Sequence, residues 1–223
     1  LESRPDCAEA WQQILESRRL EDGADPDLEA VRGLLARPDL PPESRERLAF
    51  ALGKACDDLG MDTISCGATV ACAMELVERG YLSEESVGRS LIWGDAAALV
   101  ELTRQTGYRE GFGDRLAEGS YRLAESCGHP ELAMVSKKQE FPGYEPRGAQ
   151  AMGLAYATSP IGGSHMRGDP AYFELFGIPE RVDPLQWQGK ARITKDFQDL
   201  SAIIDAAGLC IFFAVRNLAG QQL

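Results

Sequence analysis

The chain has 223 residues, 44% of them apolar and 26% charged, with a formal net charge of −12 at pH 7. That balance suits one large or two small globular domains with a substantial core and carries no signature of disorder. The acidic excess argues against nucleic acid or an anionic membrane as the main partner, and no apolar run reaches the roughly 18 residues of a membrane span.

Six cysteines, at positions 7, 56, 66, 72, 127 and 210, include no Cys-x-x-Cys pair. The pattern gives neither a zinc-finger signal nor a disulfide framework, so reduced thiols in a cytoplasmic setting are the expectation. Cys56 and Cys72 fall inside helical apolar patterns and are expected in the core. The first residue is Leu1 and no secretory signal pattern follows, so the start is expected to be an internal one.

In chain order, helices are expected over Cys7 to Leu20 and, after the Asp25-Pro26 break, over Asp27 to Arg37. Pro41-Pro42 opens a third, in which Leu48, Leu52, Ala55, Cys56 and Leu59 recur at helical spacing until Gly60 ends it. Asp62 to Ser65 can cap a helix with its body at Ala68 to Arg79, apolar almost all round and therefore deeply buried. Ser83-Glu84-Glu85 starts a short segment, and Gly94-Asp95 caps a helix running to about Gln105. The glycine-rich stretch Gly107 to Gly113 is the expected boundary between two helical subdomains, 1–106 and 107–223.

The second part opens with an expected helix from about Asp114 to Ser126, followed by an irregular Gly/Pro-rich loop region from Cys127 to Arg167. That region holds Val135 to Arg147, a small-residue helix at Gly148 to Thr158 and the turn Ser159 to Arg167. Loops of this composition in a helical chain are where ligands are usually met. A long helix from about Lys190 to Ala207 is expected to turn Ile193, Phe197, Leu200, Ile203 and Ile204 inward. No convincing alternating strand occurs, and the fold class is all-α.

Two hexapeptides share one frame. Asp57-Asp-Leu-Gly-Met-Asp62 and Asp205-Ala-Ala-Gly-Leu-Cys210 each close an apolar helical run with Asp-x-x-Gly-aliphatic-(Asp/Cys). The glycine is the expected helix stop. An acid in the last turn of a helix opposes the macrodipole, so a cation or a group rich in N–H donors is needed to offset it. A carboxylate pairs bidentately with a flat donor-donor edge, whether of guanidinium or of a guanine-like ring, and a pterin has such an edge. Ordinary solvated acids near helix ends are the plainer alternative, made less attractive by the repetition, and the Cys in the second copy raises the question of a metal.

These hexapeptides, with the helix ending Glu75 to Gly80, Arg109 to Gly119, Lys137 to Arg147, Gly153 to Ser159, and His165-Met-Arg167, resemble the tungsten-containing aldehyde:ferredoxin oxidoreductase family. The resemblance covers about residues 57 to 215; residues 1 to 45 match nothing recognisable. It implies two pterin dithiolenes chelating one tungsten (or molybdenum), and a [4Fe–4S] cluster to which Cys210 gives one of four thiolates. It further implies that Asp57 and Asp205 accept from the pterin rings, that the backbone around Met61, Asp62 and Leu209 lines them, and that Lys137 meets a pterin or phosphate group. The implied reaction is two-electron oxidation of an aldehyde or related carbonyl substrate, with electrons passed singly to ferredoxin.

Departures accompany the matches. Family chains are far longer and begin with a β-rich domain that carries the other three cluster cysteines, so this chain alone is expected to be incomplete and to need that domain or a separate subunit. The histidine that the family places two residues before the pterin lysine is Val135 here. A cofactor-free helical remnant serving assembly or binding is the alternative function. His165, in the Gly-rich turn, is the sole candidate for a catalytic side chain, against a structural histidine; His129 is expected to be solvated, and Arg147 to pair with an acidic neighbour or a ligand.

Overall fold

The computed structural model describes residues 56–177 and 180–211 together with Gly53. The helices expected before Pro41, and most of the third, lie outside these residues. Two compact units divide the chain, Leu1–Met134 and Val135–Leu223. The division expected at Gly107 is therefore displaced, and the reason is local. A Cβ on Gly113 would lie 2.1 Å from the Gln105 carbonyl carbon, so the backbone after the glycine-rich stretch folds directly onto the preceding helix instead of leaving it.

The first unit is built around helix α1, Thr63–Glu78, whose buried residues Cys66, Thr69, Val70, Cys72, Ala73, Met74 and Leu76 face most directions, as an apolar helix without a polar face must. Asp62 caps it, its carboxylate accepting from the Ser65 amide at 2.7 Å. A short helix α2, Glu84–Val87, follows, capped by Ser83, and then α3, Ala96–Tyr108, capped by Asp95. The single helix expected from Asp114 to Ser126 is instead two, α4 (Gly113–Leu116) and α5 (Ser120–Ser126). Gly119, at φ +87°, breaks the chain between them. Cys72 donates to the Ser120 carbonyl at 3.9 Å, tying α1 to α5.

His129 is not merely solvated: it stacks on Tyr81 with ring centroids 3.5 Å apart, and its Nδ1 lies 3.0 Å from Glu131.

The second unit opens with a small antiparallel hairpin, β1 (Val135–Ser136) and β2 (Gln139–Glu140), the only strands among the described residues. The architecture is mainly α. Helix α6, Gln150–Thr158, and helix α7, Lys190–Ala206, pack on each other. Met152, Ala155 and Tyr156 of α6 form a core with Ala149 and Ala171, covered by Phe141 and Tyr144.

The inner face of α7 differs from expectation: Lys190, Thr194, Phe197, Ser201 and Ile204 are buried, whereas Ile203 is 66% exposed. Polar residues hold that stripe because they find partners there. Thr194 donates to the Ala151 carbonyl at 3.1 Å, and Lys190 reaches the Glu174 carboxylate at 2.5 Å and the Asp183 carbonyl at 2.7 Å. Glu174, in a π-helical turn over Tyr172–Phe176, also accepts from the Ala151 and Met152 amides at 2.8 and 3.1 Å, so a buried carboxylate caps α6 where its own flanking Ala149 cannot.

Candidate functional site: two matching glycine corners

The two hexapeptides adopt one backbone motif, each within its own unit. In the first, the Gly60 amide donates to the Asp57 carbonyl at 3.0 Å and the Met61 amide to the Cys56 carbonyl at 2.8 Å, with Gly60 at φ +72°. In the second, the Gly208 amide donates to the Asp205 carbonyl at 3.1 Å and the Leu209 amide to the Ile204 carbonyl at 3.0 Å, with Gly208 at φ +66°. Both are Schellman caps, with the glycine in the left-handed conformation that the turn demands. The sixth residue of each immediately precedes a helical residue, Asp62 before Thr63 and Cys210 before Ile211.

The repeated geometry presents the same positions outward. Asp57, Asp62, Asp205, Leu209 and Cys210 are exposed, and Met61 is half-buried. The amides of Met61 and Leu209 are consumed by the caps, so what these residues can offer a ligand is side chain and carbonyl rather than N–H. Asp62 spends part of its carboxylate capping α1, whereas the Cys210 thiol has no such duty among the described residues and is free to serve as a ligand.

Each corner borders a cleft in its own unit. Met61 and Asp62 line one of about 340 Å³ with Ser65, Cys66, Thr106 and Arg109. Asp205 lines another of about 370 Å³ with Pro160, Ile161, Arg167, Gln198 and Ser201. Arg167 forms an ion pair with Asp205, supplying the cation that an acid in the last turn of α7 requires. The requirement for a counter-charge is legible in the sequence; which arginine meets it is not, because the pair is 38 residues apart. The places of Arg109 and Cys66 in the first cleft have no signal in the sequence, since neither residue belongs to a hexapeptide.

Lys137 sits at the tip of the β1–β2 hairpin, and its Nζ donates to the Ser159 carbonyl. Both tip residues, Lys137 at φ +51° and Lys138 at φ +66°, occupy the left-handed region, the pattern of a two-residue type I′ turn. The hairpin is braced by Gly162 and Gly163. A Cβ on Gly162 would lie 2.1 Å from the Ser136 carbonyl oxygen, and one on Gly163 2.5 Å from that of Gln139. Close backbone approach at this glycine pair is thus to the hairpin that carries Lys137.

His165 is half-buried and meets Tyr144 edge-on at 5.9 Å between ring centroids. Nearby in sequence, Asp169 is 4% exposed and accepts from the Ala171 amide at 3.2 Å; burial raises its carboxyl to about 6. Arg147 pairs with its acidic neighbour Glu145 through Nε at 2.8 Å. Among the described residues no group of three or more His, Cys, Asp or Glu side chains is gathered as a metal site.

The donor set fits the groups that the hexapeptides suggest. Exposed carboxylates are acceptors for a ring edge of N–H donors, and an exposed thiol is a ligand for iron. Residues 46–222 match the family profile described as aldehyde ferredoxin oxidoreductase, domains 2 and 3. A tungsten-containing aldehyde ferredoxin oxidoreductase of Pyrococcus furiosus is 50% identical over 160 residues, covering 70% of this chain and 26% of that protein. Its counterpart from Thermococcus kodakarensis is 48% identical over the same 70% and 26% shares. An aliphatic sulfonate oxidoreductase, WOR-like subunit, of Pyrococcus furiosus is 36% identical over 105 residues, 47% of this chain and 16% of that protein. The chain spans about a quarter of the length of the tungsten-containing relatives it matches.

Proposed function

The chain belongs to the aldehyde ferredoxin oxidoreductase family, and we propose that it is the helical, pterin-clasping part of a tungsten (or molybdenum) bis-pterin oxidoreductase that also carries a [4Fe–4S] cluster. The observation that carries this reading is the pair of matching caps, each placing an exposed acid one turn before a left-handed glycine. When bound, the metallopterin supplies two-electron oxidation of an aldehyde or related carbonyl substrate, and the cluster relays the electrons singly to ferredoxin.

What this chain's residues do is bind and orient. Asp57 and Asp205 accept from the donor edges of the pterin rings. Arg167 holds one oxygen of Asp205 and leaves the other available, so the carboxylate meets the ring in a fixed orientation. Lys137, on its rigid hairpin, gives a cation to a pterin or phosphate oxygen in exchange for the Ser159 carbonyl. Met61 and Leu209 flank the rings with apolar surface. Cys210 contributes one thiolate to the cluster; the remaining ligands come from the rest of the enzyme, as one subunit or two.

The test is Asp205→Ala in the enzyme assembled with its cofactor-bearing remainder. The expected result is loss of pterin on purification, while the isolated variant chain keeps the helical circular dichroism of the unsubstituted one. Full pterin retention would remove Asp205 from the binding role. Val135 in place of the family's histidine favours a second reading, a cofactor-free assembly module; an assembled complex that folds and carries neither pterin nor iron would support it instead.

A further inference from the structure

Three polar residues are buried along the inner stripe of α7: Lys190, Thr194 and Ser201. The first two have partners in the fold, Lys190 in Glu174 and Thr194 in the Ala151 carbonyl. Ser201 is 3% exposed, and among the described residues its hydroxyl makes no hydrogen bond. A serine inside a helix ordinarily bonds back to a carbonyl of the preceding turn, and a hydroxyl withdrawn from water without a partner destabilises the fold. Packing alone therefore favours alanine at this position.

The surroundings of Ser201 supply a reason for the hydroxyl. It lines the cleft of about 370 Å³ beside the second corner, between Gln198 and Asp205 on the same face of α7, with Pro160 and Ile161 as apolar lining. The Gln198 amide has a fixed orientation. Its Nε2 donates to the Thr158 hydroxyl at 2.8 Å, and that hydroxyl spends its own proton on the Leu154 carbonyl at 2.8 Å. A Cβ on Gly168 would lie 2.8 Å from Gln198 Cγ, so the stem of the side chain is held closely as well. What Gln198 can still offer a ligand is its carbonyl oxygen, an acceptor. Asp205 is an acceptor too, and the Arg167 guanidinium is engaged with it. The Ser201 hydroxyl is thus an uncommitted donor between two acceptors.

We infer that Ser201 is a specificity-determining residue of the second cleft, its hydroxyl donating to the ring carbonyl that adjoins the N–H pair taken by Asp205. The inference rests on the pterin reading above and adds to it the third group of the recognised edge. A pterin presents an amino group, a ring N–H and a carbonyl in a row, the donor-donor-acceptor order of guanine. Asp205 matches the two donors, and an acceptor buried beside them without a donor of its own would be penalised. Side chains four apart on a helix have Cβ atoms about 5–6 Å apart, which puts Ser201 and Asp205 within reach of neighbouring groups on one ring.

The test uses the enzyme assembled with its cofactor-bearing remainder, with pterin release followed during dialysis and pterin counted in its fluorescent oxidised form. Ser201→Ala is expected to speed release roughly 3- to 10-fold, the loss of one hydrogen bond. One pterin carbonyl band in the infrared spectrum is expected to move to higher frequency in the same variant. The full chain carrying Ser201→Ala is expected to melt about 2–4 °C higher than the unsubstituted one, because an unpartnered buried hydroxyl is gone. Thr194→Ala is the control on the same stripe: it loses a partnered hydroxyl, and is expected to lower the melting temperature and leave release unchanged. An unchanged release rate or an unmoved carbonyl band in Ser201→Ala overturns the assignment, whatever the melting temperature does. If Asp205→Ala still loses its pterin in that case, the failure is confined to Ser201. If Asp205→Ala also retains pterin, or the assembled enzyme carries none, the reading of the corner fails and the role of Ser201 falls with it.

Discussion

Lys138 holds a left-handed conformation at φ +66° that costs a side-chain-bearing residue about 1–2 kcal/mol. Replacing it by glycine is expected to raise the unfolding free energy by roughly 1 kcal/mol in a urea titration, the loss of strain exceeding the added chain entropy of glycine. Lys137 is under the same backbone constraint but carries the ammonium that donates to the Ser159 carbonyl and that we propose meets the cofactor. Lys137→Gly is therefore expected to relieve strain and yet weaken pterin retention in the assembled enzyme, a split that Lys138→Gly does not produce. Asp169 makes a separate prediction about pH. Burial raises its folded-state carboxyl to about 6, above the unfolded value, so protonation favours the folded state. Its contribution is fully present below about pH 4 and is lost as the pH rises through about 6. Asp169→Asn, which keeps an oxygen for the Ala171 amide, is expected to stabilise the chain by roughly 1–3 kcal/mol at pH 7 and by nothing at pH 4, read as thermal unfolding against pH.

At the scale of elements, α6 depends on a side chain from another segment. Glu174 accepts from two amides of its first turn and from Lys190, with both charged groups buried. Glu174→Ala strands the Lys190 ammonium and is expected to cost about 3–5 kcal/mol in denaturant titrations; adding Lys190→Met recovers only the part owed to the stranded charge, since the Ala151 and Met152 amides still lack their acceptor. None of this is legible in the sequence, because Glu174 and Lys190 lie 16 residues apart and a periodicity argument sends charged residues outward. The same blindness misplaces the inner face of α7, where Thr194 and Ser201 are buried and Ile203 is not. Where a residue's partner is its neighbour, sequence patterns suffice. Asp62, Ser83 and Asp95 cap the helices that their spacing announces, and Gly60 and Gly208 end theirs. The break at Gly119 is lost within an otherwise helical composition, and the β1–β2 hairpin is hidden because two lysines are an unusual pair for a type I′ turn.

At the scale of the molecule, the chain is two compact mainly helical units, each carrying one copy of the same cap and a cleft beside it. We take the repetition across the two units as support for a shared purpose of the caps, beyond the ion pair that Asp205 makes with Arg167. The matched stretch is about a quarter of the tungsten-containing relative from Pyrococcus furiosus, so the cofactors are expected to be held jointly with the remainder of such an enzyme. Hydrogen–deuterium exchange, comparing the complete enzyme with and without its metallopterin, tests this joint holding at both corners at once. Cofactor binding is expected to slow exchange over residues 60–64 and 208–212, and in the hairpin around Lys137. Unchanged exchange at both corners, with protection confined to other parts of the enzyme, would rule out the shared pterin-binding role.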